Sequence, residues 1–361
     1  MPAATRKLAS APVRKREELA TASLTLHGAR CTLRQSFDFP NPEPTPVYKL
    51  ILACVDGSAF AEQVVPTAVS LAERAGATLE LVLVREPMPA WAAVPDLGPT
   101  EVQARQAEER YLADLADRIR GTSKVPLETS LLEPLTTSQM SAFAVRQGLT
   151  GDLLNRPVAA AIALHASARQ AGLVVLGTHG RGAFSRFWLG SVADEVARSV
   201  SMPVLLLRPE PGAAPAPATL RHLLVPLDRS PLAEAALAAA AALAKLTGAK
   251  LTLFHAVEMV SPFPDQPAPG GVAEYWRASG AAYLAEQAER LRAEGLTVEY
   301  TAAVSAGPAE AITGAAAQVG ADAIAMATHG ARGVRRLLLG SVADRVVRST
   351  QLPVLLVRPP R

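Results

Sequence analysis

The sequence predicts an α/β protein made of two tandem domains, each a doubly wound, five-stranded parallel sheet. Three observations predict it. The chain repeats itself, apolar runs of strand length alternate with helical segments in each copy, and both copies carry a glycine-rich turn between a strand and a helix.

Thr178 opens the run THGRGAFSRFWLGSVADEVARSVSMPVLLLRP, and Thr328 opens THGARGVRRLLLGSVADRVVRSTQLPVLLVRP. Laid over each other at an offset of about 150 residues, they agree at roughly half of their positions without a gap. Upstream, KLILACVDGSAFAEQ pairs with RHLLVPLDRSPLAEA. Between the copies lies Pro209–Ala218, PEPGAAPAPA, which has no apolar face and reads as a semi-rigid, solvated linker. Domains are therefore expected at 48–208 and 219–361, and 361 residues suit two of them. Residues 1–47 are basic, lack the apolar core of a secretory signal and read as a disordered tail.

Each element follows from local pattern. Leu50–Val55 is a short apolar run ending at Asp56, as a buried parallel strand should be. Ser58 is placed to cap a helix through Ala75, which Gly76 ends. Strand Leu79–Val84, a proline-rich loop, a charged helix over Glu101–Arg120 and strand Val125–Leu132 follow. A further helix leads to strand Leu173–Leu176, the glycine-rich turn, helix Val192–Val200 and strand Val204–Leu207. In the second copy Ser230 caps a helix with Pro231 at its first position. Strands Leu251–Val257, Thr297–Val304, Ala323–Met326 and Val354–Val357 alternate there with helices Tyr283–Glu294, Pro308–Val319 and Val342–Ser349. Roughly twenty residues between Leu135 and Leu154 occur only in the first copy. They follow a third strand, so they leave the sheet at its ligand end. A solvated loop is expected there, with a lid over the first site or a partner surface as alternatives.

Composition narrows the function. Hydrophobic residues make up 49 % but aromatics only 4 %, so the cores must be built from Ala, Val and Leu. With 36 basic and 33 acidic residues the net charge is +3, too balanced for a nucleic-acid-binding face. Cys31 and Cys54 have no CxxC partner, which argues against a zinc site or a disulfide framework and fits a reducing cytoplasm. No apolar run reaches the roughly 18–20 residues of a membrane helix.

The informative segment is Gly177-Thr178-His179-Gly180, nine residues, then Gly190-Ser191. It begins where a buried strand ends, and its last two residues open a helix. Glycines let a backbone approach an anion, and the free N–H groups of a first helical turn point at it. Ser191 adds a hydroxyl. In isolation such a turn is more often only a tight connection with a helix cap; here the spacing recurs at Ala327, Gly330, Gly340 and Ser341.

Gly-x2-Gly-x9-Gly-Ser within VLGTHGRGAFSRFWLGSVADEV, closed by PVLLLRP, resembles the ATP-binding motif of universal stress proteins. The resemblance covers nearly everything from Tyr48 onward. It implies Rossmann-like domains of the adenine nucleotide alpha hydrolase-like kind, with ATP as ligand and magnesium accompanying it. It implies that Gly177, Gly180, Gly190, Ser191 and Val192 hold phosphates in one unit, and Gly330, Gly340, Ser341 and Val342 in the other. Asp56 and Val84, with Asp228 and Ala256 opposite, correspond to nucleoside contacts. It further implies that Val204–Leu207 and Val354–Val357 pair across a two-fold axis as an internal pseudo-dimer, and it leaves room for a homodimer.

Asp56 and Asp228 have an alternative role as caps, although Ser58 and Ser230 are better placed for it. His179 and His329 have no partner carboxylate or serine identifiable from sequence, so they are read as turn residues and no catalytic residue is assigned. Arg181, Arg186, Arg332, Arg335 and Arg336 lie between motif glycines and either meet a γ-phosphate or form a solvated face. Ala327 departs from the motif's first glycine. At φ > 0 or against a phosphate its methyl would obstruct; at negative φ it is harmless. The leading expectation is a nucleotide-binding stress-response regulator. A slow nucleotide hydrolase or phosphotransferase is the enzymatic alternative, although no GxxxxGK[ST] loop is present. A scaffold without nucleotide is the third.

Overall fold

The computed structural model describes residues 48–85, 98–136, 138–139, 156–178, 189–258, 270–305, 307–328 and 339–358. All of them belong to one compact unit, Pro46–Arg361. The expected tail and most of the 135–154 insertion lie outside the described residues.

In chain order the first half contains β1 (Leu50–Val55), α1 (Ala59–Glu62), α2 (Val65–Ala75), β2 (Thr78–Val84), α3 (Gly98–Arg120) and β3 (Leu127–Leu132). It continues with α4 (Pro157–Ala168), β4 (Leu173–Gly177), α5 (Ser191–Ser199) and β5 (Val204–Leu207). The second half repeats this with β6 (His222–Pro226), α6 (Pro231–Thr247), β7 (Lys250–Glu258), α7 (Gly270–Ala293) and β8 (Val298–Ser305). It ends with α8 (Pro308–Val319), β9 (Ala323–Ala327), α9 (Ser341–Ser349) and β10 (Val354–Val357).

The ten strands form one sheet in the order β3-β2-β1-β4-β5-β10-β9-β6-β7-β8. Within each half the neighbours run parallel. The halves meet at a single antiparallel seam, where Leu355 faces Leu205, Val354 faces Leu206 and Leu356 faces Val204. This is the two-fold pairing that the family resemblance implied.

Alternation of side chains along each strand splits the core between two faces. One face is covered by α2, α3, α6 and α7 and the other by α4, α5, α8 and α9, and each apolar cluster takes residues from both halves. Ala packs throughout, as the low aromatic content requires. The linker is exposed from Glu210 to Pro217, but its ends are tied to α2 and the turn before it. Gln63 exchanges two hydrogen bonds with the Glu210 backbone, and the Ala218 N–H donates to Thr67 Oγ1 at 2.9 Å.

Several boundaries differ from the sequence expectation. The helix from Ser58 to Ala75 is broken at Gln63–Val64, because Pro66 lacks the N–H that would bond back to Glu62. Ala238 stands at the equivalent place in the second half, and α6 runs on unbroken. β3 starts at Leu127 rather than Val125: Pro126 offers its carbonyl to the Leu79 N–H but has no donor of its own. α7 begins at Gly270, well before the expected Tyr283. Gly280 inside it lets the helix lie close to β7, since a Cβ there would stand 2.8 Å from His255 Cδ2.

Candidate nucleotide site

The strand order places a switch point in each half. β1 feeds helices on one face of the sheet, whereas the adjacent β4 feeds α5 on the other face. A crevice opens at the carboxyl ends of two such strands. The β1–β4 ladder stops at Ala53–Val175 although both strands run two residues further. In the second half the β6–β9 ladder stops at Leu224–Ile324. Asp56 follows the first of these strands and Gly177 ends the second, so the structure brings the two predicted positions to one crevice. Asp228 and Ala327 flank its counterpart.

Asp56 is oriented by its neighbour. Its Oδ1 accepts the Ser58 N–H at 2.9 Å and the Ser58 hydroxyl at 2.6 Å, while Ser58 Oγ accepts the Ala61 N–H at 3.1 Å. Ser230 repeats the arrangement with Asp228 at 3.0 and 2.5 Å and caps α6 through Ala233. Serine is thus the cap, and the aspartate is held at the strand end by it. Between them sit Gly57 at φ 83° and Arg229 at φ 67°. The left-handed turn is easy for glycine and strained for arginine. Arg229 donates to Ser279 Oγ at 2.9 Å and lies over the Tyr283 ring. Burial, and then the Glu234 carboxylate that accepts its hydroxyl at 2.7 Å, push the Tyr283 pKa up.

The glycine-rich turn is closed at its base. Thr178 donates its N–H to Leu207 O at 2.8 Å, and its carbonyl accepts the Gly190 N–H at 2.6 Å. Thr328, Val357 and Gly340 do the same at 2.8 and 2.8 Å. Gly190 and Gly340 are the N-caps of α5 and α9, and neither helix has a side-chain cap. Their backbones, at φ −58°, ψ 145° and φ −54°, ψ 146°, suit any L-residue. Glycine is therefore not required there by backbone conformation, and a side chain that caps would stabilise the helix more. Both glycines stand directly before the first-turn amides of their helices. Ser191 and Ser341 are exposed there, Val192 and Val342 half-buried.

Val84 closes β2 and is buried; Ala256 in β7 is half-buried. Beyond Val84, Arg85 pairs with Glu108 at 2.9 Å, Glu133 at 3.2 Å and Glu101 at 3.7 Å. The second half has Val257 instead. Ala327 has no positive φ, so the strained case does not arise. Its methyl joins the apolar cluster beneath α6, on the face opposite α9. Gly180, Gly330, His179, His329, Arg181, Arg186, Arg332, Arg335 and Arg336 lie outside the described residues.

One charged residue escaped sequence reasoning. Arg156, the N-cap of α4, donates from Nη1 to Ser191 O at 2.9 Å, and its Nε stands 3.7 Å from Glu195. Its charge thereby lies beside the first turn of α5. The repeat has Gly307 as the N-cap at this position, and an arginine directly before a helix-starting proline was the available signal. Cys54 is buried, and burial with the Glu80 charge pushes its thiol up to about 12, an unreactive state. Among the described residues no three His, Cys, Asp or Glu are grouped to hold a metal, and no helix is long and apolar enough to cross a membrane.

Comparison with known proteins bears on the family and the fold. The sequence profile described as "Universal stress protein family" matches residues 48–208 and again 219–358. A universal stress protein of Mycobacterium tuberculosis (strain CDC 1551 / Oshkosh) is 33 % identical over 195 residues, 52 % of this chain and 62 % of that relative. The chain thus spans less than two thirds of that relative's length. One from Mycolicibacterium smegmatis is 28 % identical over 311 residues, 86 % of this chain and 97 % of the relative. Among solved structures, a universal stress protein from Archaeoglobus fulgidus superposes with a TM-score of 0.60 at 20 % identity, covering 87 % of this chain and 98 % of its own. That similarity concerns the fold. With the profile matched on both sides of the linker, the chain belongs to the universal stress protein family and carries two of its domains in tandem.

Proposed function

We propose that the protein is a regulatory nucleotide-binding protein with one adenine-nucleotide site in each half, and that ATP is the ligand. The observation that carries this reading is the pair of N-cap glycines, Gly190 and Gly340. Both have a backbone geometry open to any residue, both start a helix without a side-chain cap of their own, and both sit at a switch-point crevice. Such a cradle suits phosphate: the amides donate and the helix dipole favours negative charge. Asp56 and Asp228 stand across the crevice, where a carboxylate can accept from ribose hydroxyls. Magnesium, when ATP brings it, neutralises phosphate charge, and its ligands would be chiefly phosphate oxygens and water. Arg156 adds a cation to the first site only.

The test is calorimetric titration of the full chain with ATP and adenosine. Gly190→Val should abolish binding at the first site and leave the fold intact, because its φ accommodates valine. Arg156→Met should weaken ATP there by roughly fivefold, about 1 kcal/mol for a partly exposed charge, and leave adenosine unchanged. Unaltered ATP binding by Gly190→Val would remove the assignment. Turnover of ATP well above about one per minute would favour the hydrolase alternative instead.

A further inference from the structure

The two halves exchange arginines at the seam. Arg208 directly follows β5, yet its Nη1 donates to the carbonyl of Thr350, the C-cap of α9 in the other half, at 2.6 Å and to Arg348 O in the last turn of that helix at 3.3 Å. Arg358 follows β10 and donates to Ser199 O, the last residue of α5, at 3.2 Å. The Arg348 and Ser199 carbonyls belong to the final turns, where the last C=O groups have no intrahelical donors. A cation there also meets the negative end of the helix dipole. α5 and α9 are the helices whose opposite ends face the crevices.

Each arginine is itself anchored at the base of its own half's glycine-rich turn. Leu207, immediately before Arg208, accepts the Thr178 N–H, and Val357, immediately before Arg358, accepts the Thr328 N–H. The contact therefore runs from one turn, through one residue of the seam strand, to the far end of the other half's helix. The same circuit recurs in reverse about the seam.

We propose that Arg208 is a positioning residue for the second site and Arg358 for the first, each setting in trans the helix that presents its amides to phosphate. The assignment rests on the nucleotide reading above. It goes beyond the seam itself, which only requires β5 and β10 to pair.

The experiment isolates each site in the full chain: Gly190→Val leaves the second, and Gly340→Val leaves the first. With only the second site open, Arg208→Met should weaken ATP about fivefold and Arg358→Met should change it less than about twofold. With only the first site open, the order reverses. Arg208→Lys and Arg358→Lys keep a cation on a less branched donor, disturb folding least and should fall between wild type and Met. Amide hydrogen exchange in nucleotide-free protein gives a second readout: Arg208→Met should speed exchange in Ser341–Ser349, and Arg358→Met in Ser191–Ser199. Effects confined to the arginine's own half, or equal in both, would overturn the proposal. Failure of wild type to bind ATP would instead overturn the nucleotide reading, and the exchange pattern would still decide this one.

Discussion

Asp56 and Ser58 form a closed pair in which one carboxylate oxygen receives both the amide and the hydroxyl of the serine, at 2.9 and 2.6 Å. The pair recurs at Asp228 and Ser230, at 3.0 and 2.5 Å. Each serine hydroxyl in turn caps the helix that follows. A single side chain thus sets both the start of a helix and the aim of the carboxylate at the crevice.

Ser230→Ala should cost about 1–2 kcal/mol of stability, because it removes the cap of a long helix at a buried position. Ser58→Ala should cost about 0.5–1 kcal/mol, since α1 is a four-residue turn. Each should also weaken nucleotide binding in its own half only. Denaturant unfolding and site-isolated titration measure the two effects; weakening in the opposite half would contradict the pairing.

Ala327→Gly should lower stability by about 1 kcal/mol through strand entropy and lost methyl packing. It should not strengthen the second site. The methyl faces the cluster beneath α6, away from α9, and the backbone carries no left-handed strain. A gain in second-site affinity on titration would show that the methyl does reach the ligand.

Glu80 predicts an acid-sensitive component in the first half. It is almost fully buried in β2, with His165 Nε2 at 2.7 Å, Ser130 Oγ at 2.6 Å and Arg169 Nε at 3.2 Å. Burial pushes its pKa up, but the bonds from His165 and Ser130 and the charges of His165 and Arg169 outweigh it, leaving the carboxyl below its ordinary value. A lowered folded pKa means stability that is fully present above the unfolded value of about 4.3 and is lost as pH falls through the folded one. Glu80→Gln should cost about 1–3 kcal/mol at neutral pH, by leaving buried donors under-satisfied. It should also flatten the loss of stability between about pH 4.3 and the acid limb. An unchanged acid limb in denaturant unfolding from neutral to strongly acidic pH would count against this account.

Much of the candidate site was legible because its signals are local. Ser58, Ser230 and Pro231 announce helix starts, the glycine spacing marks the turn, and the repeat shows each twice. The boundaries that moved were set by something a local pattern carries weakly. Pro66 sat inside an apolar period that still read as helix, and the expected helix began only at Tyr283, whereas α7 starts at Gly270 and packs at Gly280 against His255. Arg156 drew no attention because its meaning depends on Ser191, 35 residues away.

By itself the sequence determined the α/β class, the tandem repeat, the strand and helix order and the position of the glycine-rich turn, all products of periodicity, capping and glycine placement within a few residues. The seam that joins the halves into one sheet was implied by the family resemblance, whereas only the tertiary structure decided that Ala327 turns its methyl into the core and that Arg208 and Arg358 reach the helix ends of each other's half. Those contacts join residues about 140–160 positions apart. They arise when two pleated faces and an antiparallel seam bring strand ends together, a relation that no local window of residues contains.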